Sequence, residues 1–378
     1  MNSSRKVTAA ATDAVLGCAP VKSETTRAAA TIVMAEALTR FTTDIFARAG
    51  MSPPHAALVA DVLVWANLRA IDSHGVIRVP RYVYWMGTGE MNPTPVITVR
   101  TDTPAAVVID ADLAAGPIAM TTGMAAAVRK AREVGVGLAL VRATTHTAAL
   151  GYYTLTAARE GMAAIALAGS GPNMVYHGAR AAGVSTAPIS IAVPGGEGGP
   201  LVFDMGTGVI AAGRLLQARR TGQPIPEGSA VDRNGNPTTD PRAAETPLPL
   251  GGPKGSGLSL MIECITSLVV SNAVLAEALE GTPLGRRHRQ NGLALAIDVA
   301  RFGDPVAFRG EVDRLVRALK ALPRQRDDGE ILMPGERGRR EQARRTRDGI
   351  PIPAALVDEL RVLAERLGVP MFPHGNPG

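Results

Sequence analysis

Aromatic residues are scarce in this chain. Phe, Tyr and Trp together make up 3% of its 378 residues, too few to stack a run of nucleobases. Ala, Val, Leu and Ile must therefore build the interior, within a hydrophobic fraction of 46% that is ordinary for a globular protein. Cysteine is nearly absent as well. Cys18 and Cys264 cannot make a disulfide framework and stand in no zinc-ligand spacing; Cys264, inside the apolar run 258–270, reads as a small buried hydrophobe. No apolar run reaches transmembrane length. Val15-Leu16-Gly17-Cys18 resembles a lipoprotein cleavage box, but Thr8, Thr12 and Asp13 break the apolar stretch such a leader requires. The chain reads as cytoplasmic, with no membrane partner.

Two nucleotide signatures are missing too. No G-x-G-x-x-G joins a first strand to its helix, and there is no Walker A sequence. The cluster Gly195-Gly196-Glu197-Gly198-Gly199 lies between two β-rich runs and reads as a hairpin. A dinucleotide, if bound, needs another scaffold.

Positive charge is what the chain has in excess: 40 Lys and Arg against 34 Asp and Glu, mostly arginine and concentrated between 286 and 347. The plain reading is a solvated arginine-rich surface that favours anionic substrates. The competing reading is a non-catalytic nucleic-acid-binding protein, and the residues below weigh against it.

Residues 1–28 lack an apolar period and read as a flexible extension. Helical spacing predicts helices over 31–49 and 55–69, the second opened by Ser52-Pro53-Pro54. Short β-rich runs at 96–99, 106–109, 137–141, 163–168, 189–193, 201–204 and 293–298 then interleave with helices at 120–134, 151–160 and 312–322. A long buried helix is expected over 257–270 and a last helix over 353–367. This is an α/β pattern, with helices near both termini expected to pack together.

Three stretches carry chemistry. Asp72-Ser73-His74-Gly75 leads from a helix into a loop, with Arg78 four residues beyond His74, and a guanidinium can grip a carboxylate by two parallel hydrogen bonds. His146 follows a strand and precedes a helix, the place where α/β proteins set chemistry, and a histidine there can exchange a proton near neutral pH. Lys254, among glycines at a helix entry, suits a phosphate. Taken alone, each also fits a capping, packing or solvated role.

Together these stretches resemble the malate/L-lactate dehydrogenase family, which includes ureidoglycolate, sulfolactate and diketogulonate dehydrogenases and piperideine-2-carboxylate reductases. The resemblance runs from about Ala35 to Leu367. It is carried by Ser73-His74-Gly75 with Arg78, Pro80 and Tyr82, by His146 with Gly151-Tyr152-Tyr153, and by Phe203-Asp204-Met205. Ile225-Pro226-Glu227-Gly228, Pro249-Leu250-Gly251-Gly252 with Lys254-Gly255, and Pro334-Gly335-Glu336 continue it in order.

The resemblance implies a non-Rossmann mixed-sheet NAD(P)-binding domain (101–310) and a helical subdomain formed from both terminal regions (29–100 and 311–378), assembled as a homodimer. It implies NAD or NADP as cofactor and a small carboxylate as substrate. By motif position His146 corresponds to the proton donor or acceptor, while Ser73, His74 and Arg78 correspond to substrate contacts. Ser170, Asp204, Met205, Gly206 and Lys254 fall at cofactor positions, joined by Pro334, Gly335 and Glu336. No metal is implied. The expected reaction is hydride transfer between the nicotinamide and a 2-hydroxy/2-oxo acid, the alternative being reduction of a cyclic imino carboxylate. The sequence departs from the family pattern where Thr147-Ala148 replace an aromatic and a glycine, and where Ala168-Gly169 precede Ser170; the first bears on the substrate side of the pocket, and together they bear on substrate identity and some cofactor contacts.

Overall fold

The computed structural model describes residues 30–372 apart from 212–213, 216–217, 220–221, 286 and 327–328. The extension 1–28, with Cys18, lies outside the described residues. Strand β1 (Thr31–Val33) precedes helices α1 (Ala35–Arg48) and α2 (Pro53–Leu68); two tight turns, Asp72–His74 and Val76–Arg78, lead into α3 (Val79–Thr88). Then come β2 (Thr98–Asp102), β3 (Ala106–Asp110), α4 (Gly116–Val134), β4 (Val136–Thr144), α5 (Gly151–Arg159) and β5 (Met162–Ser170). The short pair β6 (Met174–Val175) and β7 (Ala182–Val184) is followed by β8 (Ile189–Val193) and β9 (Leu201–Met205). After a small sheet of β10 (Ala230–Val231), β11 (Pro237–Thr238) and β12 (Thr246–Pro247) come α6 (Pro253–Glu263), α7 (Leu275–Leu279) and β13 (Gln290–Asp298). The chain closes with α8 (Val299–Phe302), α9 (Pro305–Lys320), α10 (Glu336–Asp348), β14 (Ile350–Ile352) and α11 (Ala354–Leu367).

The centre is a seven-stranded mixed sheet in the order β2-β3-β4-β13-β5-β8-β9. Its only parallel pair among the described residues is β3 with β4, joined through α4; every other neighbour is antiparallel. The poverty in aromatics shows in how α4 lies on this sheet. Ala119, Ala127 and Ala131 face Ala139, Val141, Ala294 and Ala296, all in the buried core. Gly123 sits on the Val141 side chain, and a Cβ on Gly137 would collide with the Ala127 carbonyl. Small residues thus let helix and sheet approach closely, which recovers dispersion contacts that bulky rings would otherwise supply.

The two ends of the chain meet. β1 pairs antiparallel with β14, Ile32 opposite Pro351, so the helix expected over 31–49 begins only at Ala35. The β-branched run Thr31-Ile32-Val33 prefers a ladder when one is at hand. Phe41 of α1 packs edge-on against Phe372, their centroids 4.9 Å apart. Helix α10 had no apolar period to announce it. It is laced instead by Glu336–Arg340, Glu341–Arg344 and Glu341–Arg345 pairs at helical spacing, and Arg345 turns inward to 6% exposure. Much of the basic 286–347 stretch is therefore paired internally, with Arg314 on Glu311 and Arg347 on Asp348 as well.

The helix expected over 257–270 is neither continuous nor buried. It opens at Pro253, widens into a π turn over Cys264–Leu268, and leaves Leu258, Met261, Ile265, Leu268 and Val269 exposed. Cys264 is half-buried rather than buried. The widened turn is set by Glu263, whose carboxylate accepts Ser267 Oγ at 2.8 Å and the Val274 and Leu275 N–H groups at 3.0 Å. Among the described residues no helix is long and apolar enough to cross a membrane.

Arg345 bonds the Asn67 carbonyl at 2.6 Å and Asp72 at 2.7 Å, joining α10 to the turn after α2. Arg345→Met should lower the unfolding free energy by about 2 kcal/mol. Urea denaturation checks this, and an unshifted midpoint would remove the pair from the fold's essential contacts.

Candidate active site

His146 stands two residues beyond β4, on the sheet edge shared by the end of β5, the start of β13 and the end of β9. Gln290 pairs with both Thr144 and Ser170, and Met205 pairs with Ile189 at the start of β8. The first two residues of β13 hold the backbone on either side of His146. Asn291 Oδ1 accepts the Ala143 N–H at 2.9 Å, and Gln290 Oε1 accepts the Thr147 N–H at 3.1 Å. From below, α4 starts so close that a Cβ on Gly116 would collide with the His146 carbonyl. Ala143 and Ala148 both adopt φ 54°, a left-handed conformation that costs an L-residue roughly 1–2 kcal/mol. The surrounding bonds over-determine this strained loop, and Ala148 is one of the positions where the family pattern has glycine.

Ser73 and His74 reach the same place from α2. The buried Asn67 accepts the Val76 N–H at 2.8 Å and donates to Asp72 at 2.7 Å. Gly75 lies so near the Asn67 amide that a side chain there would collide with it, which explains the glycine of Ser73-His74-Gly75. Arg78 Nε donates to the Ser73 carbonyl at 2.7 Å, and Ser73 Oγ lies 2.9 Å from His74 Nδ1. The His74 and His146 rings stack with centroids 5.5 Å apart.

Sequence reasoning named Tyr82 only as part of a motif. In the structure its hydroxyl is fully buried, 2.7 Å from His146 Nδ1 and 3.1 Å from the His146 carbonyl. Nε2 is thereby left as the ring nitrogen of His146 without a bonded protein partner among the described residues. Tyr82 lies four residues after Arg78 on one helical turn, a spacing that could have flagged it. His288, stacked on Trp85 at 4.0 Å, joins the cluster; nothing in its local sequence signalled that, nor the roles of Gln290 and Asn291.

The cluster is cationic but uncompensated. Among the described residues no carboxylate pairs with Arg78, and burial pulls its pKa down. Burial and Arg78 push His74 down to about 3, and burial with Arg78 and Arg81 pushes His288 down to about 4. Burial, then Arg78, His74 and His288 together hold His146 well below 6.5. The pocket therefore presents a half-buried guanidinium beside two neutral imidazoles, a setting for an anion that exchanges one proton.

Of the residues expected at the cofactor, Ser170, Met205 and Gly206 lie on this same edge. Asp204 joins them by accepting the Gly151 N–H at 2.7 Å at the start of α5. Desolvation pushes its carboxyl up to about 6, against the pull of that N–H and of Arg69. Lys254 is brought close by the Leu250 N–H bonding the Thr207 carbonyl at 2.9 Å. The N–H groups expected to serve a phosphate there are spent, Gly255 on Leu250 and Ser256 on Gly252, so the exposed Lys254 ammonium alone offers charge. Pro334, Gly335 and Glu336 stand toward the other end of β9, where the Val202 N–H bonds the Pro334 carbonyl at 3.2 Å. Glu336 is committed to Lys320, Arg340 and the Met333 N–H. Arg69 links that end back to the site, donating to the Gly335 carbonyl at 3.1 Å while its charge acts on Asp204. A run of cations along an edge strand, with small residues at Gly206 and Gly335, fits a phosphate-bearing dinucleotide in its donor chemistry.

Residues 33–361 match the family described as malate/L-lactate dehydrogenase. The chain belongs to that family. It is 34% identical over 323 residues to a malate/(S)-sulfolactate dehydrogenase of Methanothermus fervidus, across 85% of this chain and 93% of the relative. Its fold is similar to that of the sulfolactate dehydrogenase from Methanocaldococcus jannaschii, with TM-score 0.79 and 33% identity over 90% of this chain and 98% of the other. It is also similar to the delta1-piperideine-2-carboxylate reductase of Pseudomonas syringae, with TM-score 0.78 and 31% identity over 88% and 99% of the two chains. This malate/L-lactate dehydrogenase family member is an oxidoreductase.

The lowered His146 sets a sign for the family member's pH dependence. A histidine that takes a proton must be neutral, and one held below 6.5 stays neutral as the medium acidifies past that point. In the oxidative direction the acid limb of kcat/KM should therefore fall below pH 6.5. A limb centred at or above pH 7 would contradict the burial and charge assigned to His146.

Proposed function

We propose that this protein transfers a hydride between a nicotinamide dinucleotide and a small 2-hydroxy/2-oxo acid. The observation that carries the reading is the uncompensated Arg78 beside the stacked His74 and His146. Arg78 holds the substrate carboxylate and so fixes which face of the neighbouring carbon is presented. His74 and Ser73 hydrogen-bond the carboxylate or a substituent beside it. His146, with Nδ1 on Tyr82, uses Nε2 to take the hydroxyl proton during oxidation or return it during reduction. The dinucleotide, when bound, supplies or accepts the hydride. Ser170, Asp204, Met205, Gly206 and Lys254 hold it, with Pro334, Gly335 and Glu336 at its far end.

The scaffold we infer is non-Rossmann, because its described sheet has one parallel crossover, β3-α4-β4, among antiparallel neighbours, whereas a Rossmann unit is built from successive parallel strands. Terminal residues on both sides of that sheet form its helical subdomain. We assign the exposed apolar face of Leu258, Met261, Ile265, Leu268 and Val269 to a homodimer of this chain in the cytosol. Sedimentation at the mass of two chains supports this assignment, and Val269→Asp should shift the mass toward one; a monomeric wild type would refute it.

One observation favours a second reading. His146 held neutral is a weak proton donor at pH 7, whereas a cyclic imine bearing a carboxylate can arrive already protonated and then needs only the Arg78 grip and hydride. Cofactor oxidation measured side by side with pyruvate, oxaloacetate and piperideine-2-carboxylate separates the two. Turnover of the oxo acids, reduced about a thousandfold by His146→Ala, supports the first; activity confined to the imine, and indifferent to His146→Ala, replaces it with the second.

A further inference from the structure

A second uncompensated cationic zone lies away from His146. Between β9, the Gly195–Gly199 hairpin and helices α9 and α10 is a cleft of about 290 Å³ lined by Arg69, Arg159, Arg317 and Arg339. Its acids are outnumbered, and one is already paired. Glu336 is bound by Lys320 at 2.8 Å and by Arg340 at 2.6 Å. Asp313 accepts the Gly196 and Glu197 N–H groups at 3.2 and 3.0 Å. Glu197 and Asp313 keep their charge, against four guanidinium groups.

Arg159, Arg317 and Arg339 have no ion pair among the described residues. Arg69 is 7% exposed and is fixed in place by Gly335 O and Gln342 Oε1, with its guanidinium over the Trp65 ring. Burial, and then Arg159 and Arg339 beside it, pull its pKa down against the opposing charge of Asp204, so like charges outweigh the counter-ion at this point. A built cleft with a buried, oriented guanidinium and three more without an ion pair among the described residues is suited to a dianion with several acceptor oxygens. A neutral hydroxyl would leave the same charges unanswered.

The cleft is also on the line of the cofactor. Val202 lines it, and Met205 lies three residue steps further along β9, about 10 Å of strand. We propose that this cleft binds a phosphate monoester, that of a 2′-phosphorylated nicotinamide dinucleotide, and that the enzyme prefers NADP(H) to NAD(H) through Arg69, Arg159 and Arg339. The inference rests on the dinucleotide reading above and adds to it the discriminating group. Lys320 and Glu336 neutralise one another at the rim and do not contribute to the choice.

The test is direct titration of the full chain with NADPH and with NADH, followed by nicotinamide fluorescence, with 2′,5′-ADP, 5′-ADP and inorganic phosphate as competitors. NADPH should bind at least tenfold more tightly than NADH, and 2′,5′-ADP should compete at least tenfold better than 5′-ADP. The preference should shrink as salt is raised, because the contact is ionic and open to solvent on one side. Arg159→Ser and Arg339→Ser should each bring the NADPH-to-NADH affinity ratio toward one, and circular dichroism distinguishes that outcome from misfolding.

Equal binding of the two dinucleotides overturns the inference and leaves the oxidoreductase reading intact. Phosphate that binds without separating 2′,5′-ADP from 5′-ADP marks a free-phosphate site and also overturns it. Failure of both dinucleotides to bind overturns the cofactor reading itself, and this inference with it.

Discussion

Strand β13 is the piece on which the site depends. It enters the sheet between β4 and β5, and its first two side chains are amides whose acceptors are turned onto the backbone at Ala143 and Thr147. Those two bonds bracket His146. They hold a loop in which Ala143 and Ala148 are both left-handed, a conformation that would relax without them. Asn291 is itself satisfied by Ser267, in the widened turn organised by the Glu263 carboxylate, and by Asn272 just beyond it. The position of one imidazole is thus set by a polar network that reaches into the far face of the sheet. Buried amide networks of this kind are rigid only when every member is bonded, and here the chain from Glu263 through Ser267 and Asn291 to Ala143 is complete.

The second histidine is fixed by different means that converge on the same place. Asn67, Asp72 and Arg345 lock the turn after α2, and Gly75 is pressed against Asn67. Because Arg345 belongs to α10, the geometry of His74 depends on the C-terminal part of the chain. Proximity of the two rings at 5.5 Å is therefore a tertiary product of α2, α10, β4 and β13. Low aromatic content assists this indirectly: small residues on α4 bring the helix against the sheet closely enough for Gly116 to meet the His146 backbone.

Electrostatics gives the molecule its chemical direction. Arg78 has no carboxylate partner among the described residues, and the Arg69 cluster has more guanidinium groups than free acids. Elsewhere several arginines are matched, among them Arg340, Arg344 and Arg345 of α10. Positive charge left unpaired and partly desolvated in two places is destabilising on its own. Anionic ligands relieve that cost, which is why both zones read as binding sites while the paired stretch reads as a solvated face.

Much of this was legible in the residues. Alternating β-rich runs placed most sheet strands, and the order of Ser73-His74-Gly75, Arg78, His146, Asp204-Met205 and Lys254 indicated the family. Other features were not. Helix α10 has no apolar period because ion pairs stabilise it. The expected buried helix at 257–270 opens earlier, widens after Glu263 and is exposed on one side, since apolar spacing alone does not tell a buried face from an exposed one. Gln290 and Asn291 carry no distinctive local pattern, and their partners lie 143 and 148 residues away. By itself, then, the sequence determined the element types, the motif residues and the chemistry they can perform, because propensity and side-chain chemistry are local. Only the tertiary structure decided which nitrogen of His146 is occupied, which arginines lack partners and which pKa values fall, because desolvation and charge pairing depend on neighbours that chain order does not supply.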